Sequence, residues 1–168
     1  MNTNSVTPRS KPSHFGYVNL TDRDFNRVRE HAQELFECGQ YSVHGLTHWR
    51  RVETIALDLA RETGADRTVV RLFALLHDCC RKNDGGDPDH GPRAADMLAS
   101  MFGRVFTIDP DRLCLLEQAI RYHTAGHTSD DPTIGTCWDA DRLDLGRVGK
   151  RPNEKYMSTA PGKRRASR

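Results

Sequence analysis

Apolar residues recur along this chain at the three- and four-residue intervals of amphipathic helices. The clearest stripe follows Gly45 and ends near Gly64, and it has the i, i+3, i+4, i+7, i+8 spacing of one helix face. The residues of this stripe are Val52, Ile55, Ala56, Leu59 and Ala60. The pattern predicts a helix with one face buried against a core.

Five further helices are predicted in the same way. Asp66 caps one whose residues 69–76 are apolar nearly all round, which is typical of a helix buried on most sides. The others are predicted over residues 21–38, after the turn-rich loop 83–89, from residue 109 or 110, and over residues 137–145. Because no stretch alternates apolar and polar residues for long, no sheet is expected. The predicted fold is all-α, bundle-like, with about five to seven helices.

Composition indicates one ordinary soluble domain. The chain has 168 residues, a net charge of +2 and 29% charged residues. No apolar run approaches the roughly 18 residues of a membrane span, and the polar first residues lack the apolar centre of a signal peptide. A cytoplasmic location is therefore expected. Five cysteines without a CxxC pair favour reduced thiols over disulfides or a zinc ribbon.

Charge is distributed unevenly along the chain. From residue 147 onward there are eight Lys or Arg and one acid, a net +7, which leaves about −5 for the first 146 residues. We therefore divide the chain into a flexible segment 1–20, a helical metal-binding domain 21–146 and a disordered basic tail 147–168. The alternative for the tail is contact with nucleic acid.

Six metal-type ligands interrupt the apolar faces. They are His48, His77, Asp78, His90, His123 and Asp141. Each lies three or four residues from a core position, or directly after the buried third helix, so all are expected to point inward. One such residue alone would be an ordinary hydrogen-bonded core residue or a helix cap. Six together favour a shared metal site, because separate buried imidazoles would each need their own polar partner.

The donor set narrows the choice of ion. Nitrogen and carboxylate ligands suit Fe, Mn, Ni, Co or Zn better than Ca, with Mg as a further candidate. The adjacent pair His77-Asp78 would allow two ions, since neighbouring helical residues diverge by about 100°. Asp78 could then bridge both ions while His77 binds one.

At these residues the sequence resembles the HD-domain metal-dependent phosphohydrolases. Their signature is a His, an adjacent His-Asp and a distant Asp on a helical core. It matches His48 in THWRRV, His77-Asp78 in LLHDCCRK and Asp141 in WDADRLD, within residues 30 to 146. Two phrases, PDHGPRAADML and YHTAGH, resemble the extra histidines of two-metal phosphodiesterase-type members. The Gly-Tyr-Pro motif of the cyclic-dinucleotide enzymes is absent.

The resemblance implies a distribution of ligands and a mechanism. The first ion would be held by His48, His77, Asp78 and Asp141, and the second by Asp78, His90 and His123. Water between the ions would become hydroxide near neutral pH and attack phosphorus in line. The substrate would be a small phosphorylated compound, nucleotide-like by family, and no oligomeric state is implied.

Further residues are candidates for catalysis or substrate binding. Arg81 and Lys82 follow the His-Asp pair and could hold a phosphate, or could be exposed charges beside a loop. Arg142 and His44 are weaker candidates for substrate contact. His127 could protonate a leaving oxygen or replace His123 as a ligand.

The function predicted from sequence is a metal-dependent phosphohydrolase that cleaves a phosphoester. Three alternatives stay open: a catalytically weak module that binds metal and nucleotide for regulation, a nucleic-acid-binding protein that uses the basic tail, and a structural helical domain with incidental histidines.

Overall fold

The computed structural model describes residues 19–167, and this part of the chain folds into seven α-helices and two short 3₁₀ helices. The α-helices are α1 (Asp22–Leu35), α2 (Leu46–Thr63), α3 (Arg67–Leu76), α4 (His90–Met101), α5 (Pro110–Tyr122), α6 (Pro132–Leu143) and α7 (Ala160–Ala166). The 3₁₀ helices span Asp144–Val148 and Glu154–Tyr156. No strand forms within residues 19–167, and the predicted all-α class and helix number are confirmed.

Local sequence signals account for most helix boundaries. Thr21 and Asp24 form a reciprocal capping box at the start of α1. Gly64 ends α2 in the left-handed conformation, with φ of 74°. α1 stops at Leu35, three residues before the predicted end. α6 starts five residues before the predicted residue 137, because the Asp131 side chain accepts hydrogen bonds from the first backbone N–H groups.

The third helix is the centre of the core. α3 packs against α1, α2, α5 and α6, while α4 packs on α5. Seven of its ten residues are buried, as its apolar sequence predicts: Val69, Val70, Leu72, Phe73, Ala74, Leu75 and Leu76. A helix surrounded in this way is rigid at its end, and that end is where the His-Asp pair follows.

Residues 147–167 correct the predicted domain organisation. They are not a disordered tail: α7 packs against α6 and α2, and the buried carboxylate of Asp139 accepts hydrogen bonds from the backbone N–H groups of Ser158 and Thr159. Arg164 forms an ion pair with Glu62, which neutralises part of the basic charge. The prediction was wrong because this segment is ordered by contacts with α2 and α6, which the composition does not reveal.

Two further expectations concern the N-terminal segment and membrane-spanning helices. The predicted flexible segment 1–20 lies almost wholly outside the described residues. Within the described part, no helix is both long and apolar enough to cross a membrane.

Candidate metal centre

Five structural elements bring the six predicted ligands together. His48 lies in the first turn of α2, His77 caps the C-terminus of α3, and Asp78 follows it. The other three are His90 at the start of α4, His123 at the end of α5 and Asp141 in α6. Their donor atoms form three overlapping groups, each with all atoms within 4.8 Å of one another. The structure therefore places all six residues in one cluster.

The first half of the cluster contains His48, His77, Asp78 and Asp141. The two Nε2 atoms of His48 and His77 are 3.1 Å apart. Asp78 Oδ2 lies 3.6 Å from each of these nitrogens. Asp141 Oδ1 lies 3.3 Å from His48 Nε2 and 3.8 Å from His77 Nε2. Two imidazole nitrogens and two carboxylate oxygens thus converge on one point.

The second half contains Asp78, His90 and His123. Asp78 Oδ1 lies 2.9 Å from His90 Nε2 and 3.6 Å from His123 Nε2, and the two histidine nitrogens are 2.8 Å apart. Asp78 therefore turns one carboxylate oxygen toward each half. This is the arrangement that a bridging carboxylate requires.

A glycine permits the close approach of α4 to α5 in the second half. A Cβ on Gly91 would meet the backbone oxygen of Ile120 at 2.9 Å and His123 Nδ1 at 3.2 Å. Because Gly91 has no side chain, the start of α4 can approach the end of α5 and bring His90 beside His123. A larger residue there would separate these two rings.

All four histidines of the cluster point Nδ1 away from its centre. Nδ1 faces the Phe73 oxygen at 3.1 Å in His77 and the Ile120 oxygen at 2.7 Å in His123. His90 Nδ1 faces the Asp87 carbonyl, and His48 Nδ1 lies 2.7 Å from the carboxylate of Asp144. Such acceptors require a hydrogen on Nδ1, which leaves the Nε2 lone pair to face the cluster.

This arrangement fits a cation. With hydrogen on Nδ1, the paired Nε2 atoms are all acceptors and cannot hydrogen-bond one another. Asp141 Oδ1 is likewise buried without a hydrogen bond. Buried lone pairs that face one another without a donor are costly, and a shared divalent ion satisfies them together. The residues present therefore suit a divalent metal.

For His77 and Asp78, the electrostatics agree with this assignment of protons. Burial lowers the pKa of His77 to about 3, so its ring is neutral near pH 7. Burial opposes ionisation of Asp78, but the neighbouring histidines, His77 first, hold its pKa well below the usual range. Burial also lowers the pKa of His48, but the nearby carboxylates of Asp141 and Asp144 outweigh that effect and raise it, so in the metal-free protein this ring gains a second proton more easily than His77 does. A neutral His77 beside an ionised Asp78 is the protonation state that metal binding requires.

Two of the predicted substrate contacts lie at the cluster. His44 is buried, with Nδ1 3.0 Å from Asp78 Oδ2. Arg81 donates through Nε to Asp78 Oδ1 at 3.2 Å and through Nη1 to the Asn83 and Gly85 carbonyls. Both side chains therefore orient Asp78, a role that sequence reasoning did not assign to them.

Three other predicted site residues are not in the cluster. The Lys82 side chain is exposed, and His127 is exposed in the loop between α5 and α6 without a recorded contact to the ligands. Arg142 is buried but donates to the Tyr156 carbonyl, away from the ligands. Adjacent helix positions diverge by about 100°, which separates Arg142 from Asp141. The predicted contributions of Lys82, His127 and Arg142 to this centre therefore lack structural support.

Two residues at the cluster were missed by sequence reasoning. Asp144 accepts from His48 Nδ1 and, through its other oxygen, from Arg51 Nε at 2.7 Å. Arg147 lies 3.3 Å from His44 Nδ1 and 3.8 Å from Asp141 Oδ1. The sequence did contain an indication of both residues, since positions 141, 144 and 147 follow one another at helical i+3 spacing. It was lost because Arg147 was assigned to a tail.

Comparison with known proteins identifies the family. The HD domain family model matches residues 45–154, which is more than half of the chain, and the chain belongs to that family. Members of the family are generally metal-dependent phosphohydrolases. No curated protein and no solved structure matches the chain.

Proposed function

We propose that this protein is a phosphohydrolase that cleaves a small phosphoester at a two-ion centre. The observation that carries the proposal is the division of the Asp78 carboxylate: Oδ2 faces His48 and His77, and Oδ1 faces His90 and His123. An ordinary structural carboxylate would need only one of these sets of partners. A carboxylate shared between two imidazole pairs is what a bridged pair of ions needs.

In this proposal the ligands fall into two sets. His48, His77, Asp78 and Asp141 would hold one ion, and Asp78, His90 and His123 would hold the other. Divalent ions bound here would lower the pKa of a coordinated water molecule. Their positive charge would also stabilise the phosphoryl oxygens. The donor set favours Fe, Mn, Ni, Co or Zn.

The chain's own residues would orient the reaction. Arg81 and His44 each contact a different oxygen of Asp78, and Asp144 holds the ring of His48. These contacts fix ligand orientation before substrate arrives, so little reorganisation is needed during the reaction. Arg147 places a permanent positive charge beside Asp141, where it would attract a substrate phosphate.

A cleft beside His48 would receive the substrate. It has a volume of about 320 Å³, and its lining includes Arg51 and Arg147 but no acidic side chain. Tyr41 lies at this cleft and is 91% exposed, so its ring could stack on a flat group. These features favour a small anionic substrate, with a nucleotide-like phosphoester as the candidate class.

The test begins with the metal content of chelator-free protein, followed by hydrolysis of a panel of phosphomonoesters and phosphodiesters. We expect about two Fe, Mn, Ni, Co or Zn ions per chain and turnover of at least one ester. Asp78→Ala should remove metal and activity together, because Asp78 would contact both ions. Asp96→Asn is the matched control, since Asp96 is an exposed aspartate that pairs with Arg121.

Other results would contradict the proposal in distinct ways. Full activity in Asp78→Ala would exclude the bridging role. Metal and nucleotide binding without any hydrolysis would favour the regulatory module instead. No metal after reconstitution with each ion would favour a structural domain.

A further inference from the structure

A second cavity lies between α6 and the segment that follows the first 3₁₀ helix. Its volume is about 650 Å³, within the range of small-molecule sites. Arg142, Lys150 and Arg151 contribute positive charge to the lining, and no acidic side chain lines it. This charge pattern predicts an anionic occupant.

Arg142 is the unusual residue of this cavity. Its side chain is buried, Nη1 donates to the Tyr156 carbonyl, and Nη2 is buried without a hydrogen bond. Among the described residues it forms no ion pair, since the carboxylate of Asp139 is occupied by Ser158 and Thr159. Buried guanidinium groups normally pair with an anion, because an unpaired buried charge is costly.

The guanidinium nevertheless remains charged. Burial lowers the pKa of Arg142 from its ordinary value, while Asp139 and Asp141 oppose that shift. Arginine side chains nevertheless keep their proton in proteins. Its guanidinium carbon also lies 5.6 Å from the centre of the Trp138 ring, which helps to hold it in place. The cavity wall therefore contains a fixed positive charge that, among residues 19–167, no side chain pairs with directly.

The rest of the wall suits an organic anion rather than a bare ion. Leu145 and Met157 provide apolar surface, Tyr156 provides an aromatic ring, and Asn153 provides an amide. A few polar groups among apolar ones are typical of sites for small organic ligands. Arginine binds phosphate as well as carboxylate through charge-assisted hydrogen bonds, and lysine is a common phosphate ligand, so a phosphate group suits this pair of side chains.

We propose that this cavity binds a small phosphate-bearing molecule through Arg142 and Lys150, at a site distinct from the metal centre. Asp141 faces the histidine cluster, and Arg142 faces Tyr156 about 100° further around the same helix turn. The site depends on the C-terminal segment, because Lys150, Asn153, Tyr156 and Met157 all come from it. The proposal does not require the protein to be a hydrolase.

The experiment titrates full-length, metal-loaded protein with inorganic phosphate, pyrophosphate and 5′-AMP, with calorimetry and methyl NMR of Leu145 and Met157 as readouts. We expect at least one probe to bind and to shift both methyl signals. Arg142→Gln and Lys150→Gln should each weaken that binding at least tenfold. Arg104→Gln is the matched control, since it removes one exposed arginine at the end of α4. Lys150→Gln keeps the test valid if Arg142→Gln fails to fold.

The Asp78→Ala variant separates this site from the metal centre. Binding that persists in Asp78→Ala, with the same methyl shifts, supports a distinct cavity site whether or not the protein hydrolyses esters. Binding that is lost in Asp78→Ala but unchanged in Arg142→Gln and Lys150→Gln would place the anion at the metal centre and overturn the proposal. Absence of binding by all three probes would overturn it as well.

Discussion

At the scale of single residues, the outer hydrogen bonds of the histidines matter as much as the histidines themselves. Three of the four rings in the cluster are oriented by backbone carbonyls, which no substitution of a side chain can remove. His48 differs, because Asp144 accepts from its Nδ1. Asp144 is therefore the outer partner most open to mutagenesis, and a carboxylate in this position also makes the ring a better ligand.

We predict that Asp144→Asn weakens metal binding by about 10- to 100-fold while the fold is retained. The amide accepts less strongly from His48 Nδ1, and it no longer forms an ion pair with Arg51. Calorimetric titration measures the metal affinity of both proteins, and circular dichroism checks that the fold is retained. Asp96→Asn should bind metal as the wild type does. Equal affinities for Asp144→Asn and the wild type would exclude the orienting role.

The buried His77 also predicts a pH dependence of stability in the metal-free protein. Its folded pKa is about 3 against about 6.5 in the unfolded chain, so between these values the unfolded chain binds more protons. Stability should therefore fall as pH falls below about 6.5, by up to about 1.4 kcal/mol per pH unit from this group. His48, whose pKa is raised, contributes a slope of opposite sign that acts mainly above about pH 6, so it adds little at lower pH.

Urea unfolding in EDTA at several values between pH 6 and pH 4.5 measures this slope. The aspartates with lowered pKa values act from about pH 5 downward, so the part of this window above pH 5 reports mainly on His77. The variant His77→Gln, which keeps a donor for the Phe73 carbonyl, should show a shallower dependence. An identical slope in both proteins would contradict the neutral burial of His77.

At the scale of elements, the connection from α6 to α7 is the least expected feature. The two oxygens of Asp139 accept the Ser158 N–H at 2.7 Å and the Thr159 N–H at 2.8 Å. A Cβ on Gly162 would collide with the same carboxylate, so α7 needs its glycine to dock. Because Arg142 and Asp141 follow Asp139 along α6, one helix supports the metal centre, the second cavity and the C-terminal segment.

We predict that Asp139→Asn destabilises the domain by about 1–3 kcal/mol, because an amide N–H₂ group must face a backbone N–H donor. Hydrogen exchange should increase first in residues 158–166. Chemical denaturation measures the decrease in the free energy of unfolding. Asp130→Asn, a substitution in an exposed loop, is the control. Unchanged protection of α7 would show that apolar packing alone holds it.

At the scale of the whole molecule, the metal centre connects elements that are far apart in sequence. The ligands come from α2, the end of α3, α4, α5 and α6, so a bound ion would link most of the bundle. A ligand that binds the folded state alone stabilises it by mass action. The free protein instead buries several acceptors that face one another, which is unfavourable.

We predict that Mn²⁺ or Zn²⁺ at about 100 times its dissociation constant stabilises the domain by about 2.7 kcal/mol. For a chain of this size the melting temperature should rise by about 5–10 °C. Thermal unfolding with and without EDTA tests this, and Ca²⁺ should have a smaller effect because the site is rich in nitrogen. A melting temperature that no divalent ion changes would contradict metal binding by the cluster.

Several features of this protein were predictable from sequence because their causes are local. Helical periodicity, the caps at Thr21 and Asp66, and the stop at Gly64 depend on residues within a few positions of one another. The six inward-facing ligands could be selected because each interrupts an apolar face of its own helix. The family could be recognised because its signature residues keep their order and local context.

Tertiary structure alone decided the rest, because the deciding contacts join distant parts of the chain. Asp144 meets His48 across 96 positions, and Arg147 meets His44 across 103. The C-terminal segment is held by contacts with α2 and α6, among them the buried carboxylate of Asp139, whereas composition by itself predicted disorder. The direction of Arg142, away from the metal ligands, likewise depends on where Tyr156 returns to α6. Sequence periodicity identifies which residues point inward, but only the packing of the helices determines which of them meet.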